Sequence, residues 1–182
     1  MRTLVLLTGA PGSGKTTACA RLADQAERRG RTCEGLLSPA RFSRGRKSGI
    51  DVVELRTGVR RRLAEVAACT TGPSDLAQGP AAGRYQFHAG ALAWAARRLN
   101  EIGACDVLIV DEIGPLELER GEGWANAIQV LRAGHYRLAV ATVRPALVQS
   151  LRAALGDLPG TALVEETVLP EHDVVAGLLA LA

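Results

Sequence analysis

Aromatic residues are scarce in this sequence: two each of Trp, Tyr and Phe, beside a single Met. A core must therefore be built from branched aliphatics and alanine. Lysine is nearly absent as well, since of the 22 basic residues only Lys15 and Lys47 are lysines. The four cysteines, Cys19, Cys33, Cys69 and Cys105, form no CxxC pair, and His88, His135 and His172 are scattered. That excludes the usual spacings of a zinc site or a disulfide framework. Cysteines inside apolar runs, such as Ala18-Cys19-Ala20, read as small buried hydrophobes in a reducing compartment. No apolar run approaches the roughly 18 residues of a membrane span, because residues 4–7 end at a glycine loop and residues 174–182 are far too few. The expectation is a soluble, cytoplasmic protein with no membrane partner. A net charge of +3 and a pI near 8.9 are too mild to call for a nucleic-acid partner.

What the chain does have is 182 residues at 47% hydrophobic composition, enough for one substantial core. One domain, residues 1–182, and a monomer are expected. Apolar stretches of strand length alternate with Ala/Leu/Arg stretches of helix length, the pattern of an α/β fold whose mostly parallel sheet is covered on both faces. Strands are read at about 3–8, 32–37, 106–110, 138–143 and 161–166, and helices at 15–29, 89–102, 124–132, 145–155 and the C-terminus. Residues 50–65 interrupt the alternation: two short apolar runs around the Arg56-Thr57-Gly58 turn predict an inserted β-hairpin. Residues 66–83 read as a loop.

The most specific feature is Gly9-Ala10-Pro11-Gly12-Ser13-Gly14-Lys15-Thr16-Thr17, which fits GxxxxGK[ST] and lies between a strand and a helix. In that context successive backbone N–H groups curl around phosphate oxygens at the positive end of the helix. Lys15 then reaches the β/γ-phosphates and the Thr16 hydroxyl is placed for Mg²⁺.

A phosphate loop needs a second carboxylate at the end of a central apolar strand to hold Mg²⁺. Leu108-Ile109-Val110-Asp111 supplies it. Strand alternation sends the next residue, Glu112, to the opposite side, where its carboxylate is a candidate to orient or deprotonate an attacking water.

Together, residues 9–17 and Asp111-Glu112-Ile113-Gly114-Pro115-Leu116-Glu117-Leu118 resemble the small P-loop nucleoside-triphosphatases of thermophiles and of animals, the cancer-related nucleoside-triphosphatases. The likeness continues through Gly35, Leu63-Ala64 and Gly83-Arg84-Tyr85. It implies a three-layer RecA-like fold and Mg²⁺-dependent hydrolysis of ATP, GTP, CTP or UTP to the diphosphate. It also implies phosphate and metal roles for Lys15, Thr16 and Asp111, and water activation by Glu112. The chain departs from the family after its last strand, where an Asn-Arg element is replaced by residues 167–173, and in the glycine-rich stretch 118–124.

A loose phosphoryl-transfer transition state also favours a guanidinium near the γ-oxygens. Arg46, within the basic run Arg41, Arg44, Arg46 and Lys47, and Arg144, just after a strand, are the candidates. Arg60, Arg61 and Arg62 alternate faces and lack interleaved aromatics, against a nucleic-acid patch. Tyr85, Phe87, His88, Trp94 and Leu99 read as packing residues. Two other functions remain open on the sequence: a nucleotide or small-molecule kinase using segment 41–62 as a lid, and a nucleotide-gated switch acting through a partner.

Overall fold

The computed structural model describes residues 2–67, 78–158, 161–167 and 171–181. Five strands form the parallel centre: β1 (Arg2–Thr8), β2 (Cys33–Leu37), β8 (Cys105–Ile113), β9 (Tyr136–Val143) and β10 (Thr161–Thr167). They lie in the order β10-β1-β9-β8-β2, and each neighbouring pair runs parallel. Beyond β2 the sheet turns antiparallel through β4 (Arg46–Glu54), β5 (Arg60–Val66), β7 (Tyr85–His88) and β6 (Gln78–Ala82), with β3 (Ala40–Ser43) paired to β4. This is the mostly parallel α/β core with an inserted hairpin that the sequence predicts.

Alternation along the central strands sorts the core into two layers. Leu4, Leu6, Leu108, Val110, Ala139 and Ala141 face one side. There they meet α2 (Ala89–Asn100), α4 (Ala127–Ala133) and α5 (Val148–Leu155), through residues such as Leu92, Leu131 and Leu151. Val5, Leu7, Val107, Ile109, Leu138 and Val140 face the other side. That layer is closed by α1 (Lys15–Arg28), through Ala18, Cys19 and Leu22, and by α6 (Glu171–Leu181), through Val175, Leu178 and Leu179. Aliphatic burial on both faces explains how so few aromatics suffice. Cys19, Cys33 and Cys105 are free and buried within these layers, as expected, and Cys69 lies outside the described residues. Among the described residues no helix is long and apolar enough to cross a membrane.

Gly35 is held to glycine by the sheet itself. Its φ is 120°, and a Cβ there would fall on the Ile109 carbonyl oxygen of the adjacent strand. β2 can therefore lie against the strand that ends in Asp111 only with a bare backbone at this point.

Several boundaries differ from the sequence reading. The predicted hairpin of residues 50–65 is the β4–β5 pair, but it belongs to a five-strand antiparallel wing. The basic run 41–47 forms a β3–β4 hairpin, with Arg44 at φ 50° in its turn. Part of the predicted loop 66–83 is strand β6, while residues 68–77 lie outside the described residues. Such short polar strands have no apolar alternation to announce them; pairing to β7 defines β6. Arg60 and Arg62 pair with Asp51 and Glu65 at 3.5 and 3.1 Å, whereas Arg61 lies 4.8 Å over the Trp94 ring. The expected alternation of those three arginines is therefore real, and their charges are partnered.

Candidate active site

The carboxyl ends of β1, β9, β8 and β2 bring four loops together on one edge of the sheet. Between β1 and α1 the chain turns with Gly12 at φ 81° and Gly14 at φ 95°, left-handed values that a side chain would strain. The Ser13 amide donates to the Ala10 carbonyl at 3.1 Å, closing the loop on itself. Lys15, the first residue of α1, folds back so that Nζ donates to the Gly9 and Ala10 carbonyls at 2.7 and 3.0 Å. Burial lowers the Lys15 pKa from its ordinary value; Glu112 and Asp111 oppose the drop and Arg144 adds to it. The ammonium therefore lies within electrostatic reach of both acids, 96 and 97 residues away in sequence.

Asp111 is buried and held through both carboxylate oxygens. The Ser38 amide donates to Oδ2 at 2.9 Å and the Thr142 hydroxyl to Oδ1 at 2.7 Å. The Ser38 hydroxyl donates to the Asp111 carbonyl at 3.1 Å. Burial pushes the Asp111 carboxyl above the usual range, against these bonds and a side-chain bond to Thr16 that favour the ionised form.

Glu112 departs from strand geometry. The β8–β9 register runs Val110 to Ala141 and then Ile113 to Val143, so Asp111 and Glu112 together face Thr142 alone. This is a bulge, and within it Glu112 takes φ 70°, unusual for a residue with a side chain. The expectation that alternation sends Glu112 away from Asp111 is therefore corrected: the left-handed residue breaks the alternation. Both acids act on Lys15, and Glu112 Oε1 accepts from Arg144 at 3.1 Å. With side-chain exposures of 39% and 47%, Glu112 and Arg144 form an open pair that solvent and ligand can reach.

Of the sequence candidates, the fold thus gathers Lys15, Thr16, Asp111, Glu112 and Arg144 at one edge, beside Gly9, Ala10, Pro11, Gly12, Ser13, Gly14 and Thr17. Arg46 is not bonded to them. It opens β4 opposite Ser43, exposed, and among the described residues no hydrogen bond or ion pair joins it to the phosphate loop. Arg41, from the same run, is held by Asp51 and Glu65 at 3.5 and 3.6 Å.

Hard oxygen donors suit Mg²⁺. Thr16 and Asp111 offer two, near enough that Thr16 favours the ionised form of the Asp111 carboxyl. Among the described residues there is no cluster of three or more His, Cys, Asp and Glu that could hold a metal ion. The residues fit a cation that arrives with phosphate and keeps water ligands, rather than one caged by protein.

Three residues here went unnoticed as site residues. Ser38 and Thr142 have only weak sequence signals, a polar residue at the end of an apolar run. Glu117 lies in α3 (Pro115–Leu118), inside the motif that runs from Asp111 to Leu118. Its buried carboxylate accepts from the Gly114 amide at 2.9 Å and the Trp124 amide at 3.4 Å, clasping the loop behind Glu112. Gly123, at φ 66°, lies so close that a Cβ would strike Glu117, which accounts for part of the glycine-rich stretch.

Burial pushes the Glu117 carboxyl up to about 7 from 4.5, although its backbone amide donors favour the anion. A folded pKa above the unfolded one means that the folded state holds the proton more tightly. That stability is fully present below pH 4.5 and is lost as pH rises through about 7. Melting wild type and Glu117→Gln between pH 4 and 8.5 should therefore show wild type losing ground to the variant across that window. A gap that does not change with pH would contradict it.

Comparison with known proteins now adds to the geometry. A family model described as NTPase matches residues 4–158. The chain belongs to this NTPase family. It is 38% identical over 132 residues to nucleoside-triphosphatase THEP1 of Methanopyrus kandleri, covering 72% of this chain and 68% of that one. With the THEP1 of Methanothermobacter thermautotrophicus the identity is 34% over 151 residues, covering 81% and 80%. In fold it matches a human cancer-related nucleoside triphosphatase with TM-score 0.68 at 22% identity, covering 99% and 96% of the two chains. It also matches THEP1 of Aquifex aeolicus, with TM-score 0.58 at 23% identity and coverage of 100% and 98%. The family resemblance read from the motifs and the P-loop NTPase fold both hold.

Proposed function

We propose that this NTPase hydrolyses nucleoside 5′-triphosphates to the diphosphate and inorganic phosphate at the phosphate loop, with Mg²⁺ and with Glu112 as the group that activates water. The observation that carries the reading is the bulge at the end of β8, which leaves a buried carboxylate, Asp111, and a half-exposed one, Glu112, side by side within reach of Lys15. One acid is placed for structure and metal, and the other for solvent.

Thr16 and Asp111 would hold Mg²⁺, which when bound would supply positive charge to offset the negative charge of the phosphates. The loop amides hold the triphosphate. Lys15 exchanges its two carbonyl partners for phosphate oxygens. Glu112 accepts a proton from water as the water attacks the γ-phosphorus; the bond from that phosphorus to the β,γ-bridging oxygen breaks and NDP departs. Arg144, beside Glu112, is placed to meet charge growing on the γ-oxygens, which favours it over Arg46.

Every group assigned here engages phosphate, metal or water and none engages a base, so ATP, GTP, CTP and UTP are expected to be accepted alike. Phosphate release from each, with and without Mg²⁺, tests the reading. Comparable Mg²⁺-dependent rates support it. NDP formation that requires an added hydroxyl or phosphate acceptor would replace it with a kinase, and turnover that appears only with a protein partner would replace it with a switch.

A further inference from the structure

Glu112 occupies a conformation that its own chemistry does not favour. A residue with a Cβ is strained at φ 70° relative to the right-handed region. Something must hold it there, and the bulge removes the regular ladder partner that its amide would have had on β9.

Thr142 fills that gap. It is almost fully buried, lies opposite both acids in the β8–β9 register, and uses its single hydroxyl twice. The oxygen accepts the Glu112 amide proton at 2.6 Å, and the hydroxyl proton goes to Asp111 Oδ1 at 2.7 Å. One side chain thereby fixes the backbone of the half-exposed acid and the carboxylate of the buried one. The amide can only donate, so the hydroxyl oxygen accepts from it and the hydroxyl proton is left for Asp111 Oδ1.

We infer that Thr142 is a positioning residue for hydrolysis, whose hydroxyl sets the spacing between the carboxylate assigned to the metal and the carboxylate assigned to water. The inference rests on Glu112 activating water, as proposed above. Valine has nearly the same shape but offers neither bond, so Thr142→Val removes the Glu112 amide's acceptor and the Thr142 donor to Asp111 Oδ1. Serine retains both bonds.

The test compares wild type, Thr142→Val, Thr142→Ser, Glu112→Gln and the Thr142→Val/Glu112→Gln double variant. For each, kcat for ATP is measured with saturating Mg²⁺, and affinity is measured with a fluorescent ATP analogue. Thr142→Val should bind the analogue within about threefold of wild type and lose kcat on the order of 10²-fold, the usual cost of slight misplacement of a reacting group. Thr142→Ser should restore most of it. In the Glu112→Gln background, where the acid is gone, Thr142→Val should add under about threefold, the non-additivity expected of residues acting as a unit.

A merely structural threonine would lower melting temperature without this split between kcat and binding, and its effect would multiply with that of Glu112→Gln. Wild-type kcat in Thr142→Val while Glu112→Gln is inactive overturns the inference alone. Wild-type kcat in Glu112→Gln overturns the assignment of Glu112, and the inference with it. Should Thr142→Val fail to fold, Thr142→Cys, of similar size but a weak hydrogen-bonding thiol, is subject to the same two outcomes.

Discussion

Glu112→Gln is expected to cut kcat by roughly 10²–10⁴-fold, the range over which a positioned general base contributes, while leaving Mg-NTP affinity nearly intact. Glutamine keeps the shape and can still accept from Arg144, whose guanidinium lies 3.1 Å from Glu112 Oε1. It cannot take the proton of the attacking water. Because Asp111 is held by Ser38 and Thr142 through atoms this change does not touch, the phosphate loop and its metal ligands should stay in place. Stopped turnover with retained binding is the signature of an interaction made only in the transition state. Parallel loss of binding and turnover would mean instead that Glu112 builds the pocket.

Lys15→Ala is expected to fail differently, losing both affinity and turnover, with kcat down roughly 10²–10³-fold as for removal of one charge-stabilising donor. Before ligand arrives, the ammonium is satisfied by the Gly9 and Ala10 carbonyls. These bonds to neutral acceptors can be exchanged for stronger ones to ionised phosphate oxygens. Alanine removes both the donor and the positive charge on which Asp111 and Glu112 both act. Two carboxylates would then face an anionic substrate with no cation from the loop, so weaker binding should be evident by titration of a fluorescent nucleotide. Lys15→Arg is not a conservative rescue, since a planar fork cannot occupy the compact position folded over the loop.

The central fold was legible because buried parallel strands leave long apolar runs, and a glycine loop followed by a helix leaves an unambiguous pattern. The end of β8 at Asp111-Glu112 was legible for the same reason. Its geometry was not. Sequence periodicity assumes a regular strand, and the bulge opposite Thr142 breaks that rule just where two acids must cooperate. The antiparallel wing escaped because β3, β6 and β7 are only four or five residues long and take their identity from partners distant in sequence. Arg144 and Arg46 look equivalent in a list of basic residues. They separate once β9 is seen to lie between β1 and β8, which delivers Arg144 to Glu112 and leaves Arg46 on the wing. Buried Glu117 stood in plain view within the motif, yet nothing in the sequence says that it clasps Gly114 and Trp124.

Single turnover of radiolabelled ATP, with enzyme in excess and Mg²⁺ but no acceptor present, tests the central claim most directly. The account predicts one inorganic phosphate and one ADP for each ATP consumed by wild type, and intact ATP held by Glu112→Gln over the same time. ATP surviving on the wild-type protein, or phosphate released equally fast by Glu112→Gln, would contradict it.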